Sequence, residues 1–220
     1  MSSAHTETGT TDWNAETRTS YDTVADSYAD QVRHALAEQP YLRSALALFA
    51  DSVRRSGGPV ADMGCGPGHI TAHLNELGVD AFGVDLSPRM IEVARRDHPG
   101  LHFEVGSLAA PELPDASMGG LIAWQSLIHM PDEDVPVALE HFRRVLRTGG
   151  PAQLLFHAGN DSWVKTQGYG GHPMNVPVYR RQPHLVARWL RESGFEVEAH
   201  MVLNPDSEFP QALLFARRAA

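Results

Sequence analysis

The residues whose types and spacing are best suited to chemistry are Asp62, Gly64, Cys65, Gly66 and Gly68, in Val60-Ala61-Asp62-Met63-Gly64-Cys65-Gly66-Pro67-Gly68-His69, and Asp85, which closes Ala81-Phe82-Gly83-Val84-Asp85. An apolar run that breaks on alternate glycines and passes into a helical pattern lets backbone amides at a helix start face a ligand with no side chain in the way. A carboxylate about 20 residues further on, ending a second apolar run, is placed to accept both hydroxyl protons of a ribose. These residues predict a nucleoside cradle. A dinucleotide calls for Gly-x-Gly-x-x-Gly, whereas the glycines fall at 64, 66 and 68 and His69 stands where the last would be, which disfavours a pyrophosphate.

A second set of residues could meet a reacting group. Met118 to Gln125 reads as a strand, and ligands of open α/β sheets bind beyond the carboxyl ends of the strands, so Trp124, Gln125, Ser126 and His129 should face the cradle. His129 has two readings, a helix-capping or core histidine and a catalytic one. His157, after a strand at 153–156, and Tyr169 and His172, in a glycine-rich segment beyond it, are the other candidate bases. His69 and His73 have the spacing of a two-histidine metal site, but no third ligand is near and no glutamate lies between them, so no metal is expected.

The elements that must hold these groups follow from periodicity. Tyr21, Ala25, Tyr28 and Val32 give one apolar face to a helix across 14–37, and Pro40 opens another that carries Leu42, Leu46, Phe49 and Val53 and ends at Gly57-Gly58. Strands are expected at 59–63, through Asp85, and at 101–105, with Ser87 and Pro88 as N-cap and first turn of the helix between the last two. Residues 159–181 show no clear period and are expected to form a lid or substrate loop. A helix at 182–193 and strands at 195–203 and 212–216 close the chain.

Composition sets the limits. A chain of 220 residues with 42% hydrophobic content fits one domain over 13–220 after a polar, mobile tail at 1–12. Its parts are cap helices (13–57), a cofactor core (58–158), the lid (159–181) and a closing helix with a strand pair (182–220). A net charge of −9 with scattered arginine pairs argues against nucleic acid. The lone Cys65 excludes an internal disulfide, suits a reducing cytoplasm, and reads as a small residue tucked into the turn. No apolar run approaches a membrane span.

Asp62-x-Gly64-x-Gly66-x-Gly68 with Asp85 resembles motif I and the acidic motif II of the S-adenosylmethionine-dependent methyltransferases with the Rossmann-like fold. Leu146-Arg147-Thr148-Gly149-Gly150 is similar to that family's turn into its fifth strand, with Thr148 in place of proline, and Tyr21-Asp22-x-x-Ala25-x-x-Tyr28 to its N-terminal cap helix. The resemblance implies a doubly wound α/β fold, a mostly parallel seven-stranded sheet with a reversed last strand and a helical cap, and S-adenosylmethionine as cofactor. It further implies ribose on Asp85, Tyr21 and Tyr28 over the cofactor, and adenine enclosed by Leu86, Met90, Gly106, Ser107 and Leu108. Ser107 departs from the acid usual at its position.

The nucleic-acid enzymes' Asn/Asp-Pro-Pro-Tyr/Phe motif is missing, because the chain reads Trp124-Gln125-Ser126-Leu127. The glutamate pair of arginine methyltransferases is missing too. Asn160-Asp161 is similar to part of a catechol-type magnesium site, but Gln125 and Ser126 offer no carboxylate. The expectation is metal-independent methylation of a small molecule. Two rivals stay open at this point: a nicotinamide-dependent oxidoreductase and a module that binds the cofactor without turnover.

Overall fold

The computed structural model describes residues 13–220, so the tail expected at 1–12 lies outside the described residues. Strands β1 (Val60–Met63), β2 (Ala81–Asp85), β3 (Phe103–Val105), β4 (Gly120–Trp124) and β5 (Pro151–His157) run parallel. β8 (Phe195–Leu203) and β9 (Gln211–Arg218) complete a seven-stranded sheet ordered β3-β2-β1-β4-β5-β9-β8. β9 is antiparallel to both its neighbours, the reversed strand expected. β1 and β4 are buried at every position, because helices cover both faces of a parallel sheet.

Adjacent residues of β4 serve opposite faces. Leu121 joins Leu139 and Phe142 of α5 (Val135–Val145) and Leu190 of α6 (Pro183–Glu192), whereas Ile122 joins Leu46, Phe49 and Val53 of α2 (Pro40–Ser56) and Leu74 of α3 (His69–Glu76). α4 (Pro88–Asp97) starts as its sequence dictates, with Ser87 Oγ accepting from Met90 N at 3.0 Å and Pro88 in the first turn. The strand order turns back between β1 and β4, which opens a crevice at their carboxyl ends.

Two expectations need correction. α1 (Trp13–Val32) stops short of residue 37, and a 3-10 turn at Ala35–Glu38 follows it. Ala25 and Ala29 pack on Met90 and Val93 of α4, while Leu36 packs with the α2 cluster, so the chain has to change direction between them. Residues 159–181 are not a loop but carry an antiparallel hairpin, β6 (Ser162–Gly168) and β7 (His172–Tyr179), turning through Tyr169, Gly170 and Gly171, all at positive φ. Met174, Val176 and Val178 are buried on alternate positions, and the first two pack on Val24 of α1. Asn175 ties the hairpin to α1 by donating twice, from its backbone N to Ser20 Oγ at 2.9 Å and from Nδ2 to Glu16 Oε1 at 2.8 Å. Among the described residues, no helix is long and apolar enough to cross a membrane.

Candidate active site

The crevice holds a cleft of about 680 Å³ and a neighbouring cavity of about 850 Å³, both bordered by Tyr28, Gly64, Gly66, Trp124 and Gln125. Asp85, Leu86, Met90, Gly106, Ser107 and Leu108 line the cleft on the β2 and β3 side, and Tyr21, Ser126 and His129 line it on the other. Asp62, Cys65 and His69 line the neighbouring cavity.

Asp85 is fixed by the turn it faces. Gly66 N donates to its Oδ2 at 2.8 Å and Ser87 N to its Oδ1 at 2.9 Å, which fixes the carboxylate at the edge of the cleft. Burial pushes its carboxyl up, while the Ser87 and Gly66 amides pull it back. Asp62 is buried beneath the same turn and accepts from Thr71 Oγ1 at 2.6 Å. Burial pushes its carboxyl up to about 7 against the pull of Thr71.

The glycines divide the work. Gly66 sits at φ +53°, and a Cβ there would reach only the Tyr28 ring, at 3.5 Å, so the bare backbone opens into the shared space. Gly68, expected in the cradle, lines neither of these two cavities, and a Cβ on it would lie 2.6 Å from the Phe103 ring, so it lets helix and sheet close together. Cys65 packs its side chain with Ile91, Ala94 and Phe103, and burial pushes its thiol well up, which makes it an inert space filler.

After β4, Trp124 donates from Nε1 to Gln153 Oε1 at 3.0 Å, leaving its ring as a wall. Gln125 is held at φ +54°, and both polar atoms of its amide, like the Ser126 hydroxyl, are buried without a partner. Buried orphans beside an open cleft mark where a ligand's polar atoms belong. Ser107 Oγ accepts from Ala109 N at 3.2 Å, so its own proton remains to donate to a base.

His129 Nδ1 lies 2.7 Å from the Pro177 carbonyl and its Nε2 2.7 Å from the Tyr21 hydroxyl. Burial pulls its pKa down to about 4, so the ring is neutral at pH 7. Burial, with Tyr169 and Tyr28 alongside, pushes the Tyr21 phenol well above its ordinary value. The other proposed bases, His157, Tyr169 and His172, line neither of these two cavities. His157 is half-buried with its ring 6.4 Å from that of Trp163, Tyr169 packs its edge on Tyr28 at 4.6 Å beneath Lys165, and His172 is exposed at the start of β7. Asp161 is engaged by Arg180 at 2.7 Å.

Some lining was not foreseen. Trp13, Asn14, Thr17 and Arg18 share the face of α1 that carries Tyr21, and the Thr17 hydroxyl is buried without a partner. Arg181, 3% exposed, donates to the Leu127 carbonyl at 2.8 Å, to the Met130 carbonyl and to Asp132 at 2.8 Å, and so holds the turn that bears His129. The four-residue spacing Trp13, Thr17, Tyr21 was a readable signal for the first group; nothing in sequence announced Arg181.

Residues 60–150, which span β1 to the turn before β5, match the family model described as a methyltransferase domain. That stretch of the chain is similar to a methyltransferase domain. Around it, the chain is 36% identical over 120 residues to the malonyl-[acyl-carrier protein] O-methyltransferase of Serratia marcescens, a match covering 51% of this chain and 46% of that protein. It is 33% identical over 144 residues to the N-demethylindolmycin N-methyltransferase of Streptomyces griseus, covering 60% and 59%. The chain thus spans about half the length of the curated relatives it matches. The crystal structure of magnesium protoporphyrin IX methyltransferase from Synechocystis PCC 6803, with bound S-adenosylmethionine, shares the fold at a TM-score of 0.73 and 16% identity, over 96% of this chain and 99% of that one. S-adenosylmethionine is the ligand bound in that structure. The residues here fit it: a carboxylate held by backbone amides on the cleft wall, a side-chain-free step at Gly66, and the orphaned polar atoms of Gln125 and Ser126.

Proposed function

We propose that this chain transfers a methyl group from S-adenosylmethionine to a small-molecule acceptor, without a metal. When bound, the cofactor supplies an electrophilic methyl carbon on a sulfonium. Asp85 grips the ribose, and Leu86, Met90, Ser107 and Leu108 enclose the adenine. The cavity beside Asp62 takes the amino-acid end, with Gly64 and Gly66 giving it passage. The acceptor enters between α1 and the turn after β4, among Trp13, Thr17, Tyr21 and His129. Alignment and exclusion of water are the main contributions of the protein, and for a well-held pair of reactants they are worth roughly 7–11 kcal/mol.

The observation that carries this reading is the double anchoring of Asp85 by Gly66 N and Ser87 N at the mouth of a cleft continuous with the glycine turn. The names of the relatives support both oxygen and nitrogen acceptors, and one of them an acceptor carried on a protein. A free small molecule is favoured here because aromatic and polar side chains of α1 wall the acceptor side. The test is calorimetry with S-adenosylmethionine and its demethylated form, followed by incubation with labelled donor and a metabolite extract. Binding of both forms with release of the demethylated product is expected. Binding with no turnover on any extract would instead make the protein a sensor, and no heat with either form would end the proposal.

A further inference from the structure

The two orphaned side chains of the turn after β4 stand in different places. Ser126 lines only the cleft that holds Asp85, whereas Gln125 lines that cleft and the neighbouring cavity as well. Gln125 is locked there, because its φ of +54° is one that side chains resist and its backbone N donates to the Leu155 carbonyl at 2.8 Å. Its amide presents a donor and an acceptor side by side, both buried and both without a partner among the described residues. Trp124 is equally fixed. Its indole N–H is taken by Gln153 Oε1 at 3.0 Å, and Gln153 Nε2 donates in turn to the Ala45 carbonyl of α2 at 3.0 Å, so the ring offers a ligand only its face. Five further residues of the second cavity are apolar. Val32, Leu36, Leu42, Ile70 and Leu155 meet there, brought together from the end of α1, the 3-10 turn, the starts of α2 and α3, and β5. The cavity's other polar side chains are Asp62 and His69, which flank the glycine turn, and Gln39 and Gln211.

On the methyl-transfer reading a zwitterionic amino-acid end goes with Asp62 and His69, and apolar walls do nothing for it. We propose that the apolar part of this cavity belongs to the methyl acceptor, which is an amphiphile. It lays an aliphatic or aryl limb among Leu36, Leu42, Ile70 and Leu155. Next to the limb it carries an amide-type edge, an N–H beside a carbonyl oxygen or ring nitrogen, that pairs with the Gln125 amide. The inference rests on the methyl-transfer reading and narrows its substrate class. The five residues shared by the cleft and the cavity divide accordingly: Gly64 and Gly66 give passage to the cofactor, and Tyr28, Trp124 and Gln125 to the acceptor. Both parts of the acceptor are needed. A limb without the edge leaves a buried amide unpaired, and an edge without the limb forgoes the apolar contact. Sugars, amino acids and other wholly polar metabolites are thereby poor acceptors.

Two measurements on the full chain test it. In the first, calorimetry at saturating demethylated cofactor compares 4-butylbenzamide, which has both edge and limb, with benzamide, which lacks the limb, and methyl 4-butylbenzoate, which lacks the N–H. The first should bind at least about 10-fold more tightly than either of the others. Equal affinities, or no binding of any of the three at about 1 mM, overturn the proposal. In the second, deuteromethyl-labelled donor is incubated with a metabolite extract and the products are identified by mass spectrometry. Products that join an apolar limb to an amide-type edge are expected, and a wholly polar main product overturns it. For the product found, Gln125→Met and Leu36→Gln should each raise KM by about 10-fold or more, with Kd for the demethylated cofactor held within about twofold. Gln125→Glu, which keeps the shape and loses the N–H, should show the same loss and guards against a Gln125→Met chain that fails to fold. An unchanged KM, or a matching loss of cofactor affinity in the Gln125 variants, overturns it. If no product forms at all, methyl transfer itself has failed, and the calorimetry still decides whether the cavity takes an amphiphile.

Discussion

A Cβ placed on Gly64 would lie 2.3 Å from the Cβ of Ser126, so the turn after β1 and the turn after β4 touch where neither can yield. Gly64 also sits at φ +79°, a region that side chains resist. Gly64→Ala should therefore destabilise the fold by about 2–4 kcal/mol and abolish cofactor binding. Gly64→Ala with Ser126→Gly should recover the part owed to the clash but keep the backbone penalty of roughly 1–2 kcal/mol. Chemical denaturation of the two variants separates the contributions. Equal stability of single and double variants would show that the contact is not what matters.

Asp85→Asn keeps an acceptor for one of the two amides but turns an NH2 toward the other and toward the ribose. The expected loss is about 1–3 kcal/mol, or roughly 10- to 100-fold in Kd for the demethylated cofactor by calorimetry. Circular dichroism should be unchanged. An unaltered Kd would place the ribose elsewhere.

Asp62 gives a pH signature. Its carboxyl has an ordinary value of 3.8 and is raised by burial to about 7 in the fold. Between those values the folded chain holds a proton that the unfolded chain releases, so this group's contribution to stability is largest in acid and is lost as pH rises toward 7. Asp62→Asn retains an oxygen for Thr71 and removes the charge. The variant should match the wild type in Tm near pH 4 and exceed it by roughly 10 °C at pH 8, since a rise of about 3 pKa units at about 1.4 kcal/mol each is worth about 4 kcal/mol. Cofactor binding should show the opposite ordering. A ligand ammonium beside Asp62 stabilises the carboxylate, so affinity of the wild type should climb from pH 6 to pH 8 with release of a proton, and the variant should show a flat profile.

Arg181→Met removes three hydrogen bonds from the turn at 127–132, taking the Arg181 donor from the Met130 carbonyl and leaving the Leu127 carbonyl with Met130 N at 3.2 Å. A loss of about 2–4 kcal/mol in denaturant unfolding is expected. The His129 signals should broaden as the turn loosens. Arg181→Lys should recover little, because an ammonium cannot reproduce the planar fork that meets two carbonyls and a carboxylate.

How much of this was legible in sequence depended on whether the information was local. Val60 to Gly68 and Ala81 to Asp85 carry strand, turn and acid within a few residues each, so the cradle and its carboxylate could be placed before any coordinates. Ser87 and Pro88 announced their helix for the same reason. The hairpin at 162–179 was missed although Met174, Val176 and Val178 alternate, because Pro173, Pro177 and three glycines looked like punctuation; a two-stranded ribbon tolerates Pro177 where a central strand would not. The Tyr21–His129 contact joins residues 108 apart, and Arg181 acts across 49 or more, so neither pairing had a local signature. Gly68 was assigned to the ligand from spacing alone; only the position of Phe103 reveals that it serves packing.

The placement of β9 between β5 and β8 bears on how the chain is made. The outer edge of β5 is synthesised by residue 157, yet its hydrogen-bonding partner is finished only at residue 218. Until then Leu154, Leu155 and Phe156 present an unpaired apolar edge to the cell. A growing polypeptide stalled between those two points would be a target for chaperones, and the cofactor crevice would be waiting on a strand that touches it only at Gln211.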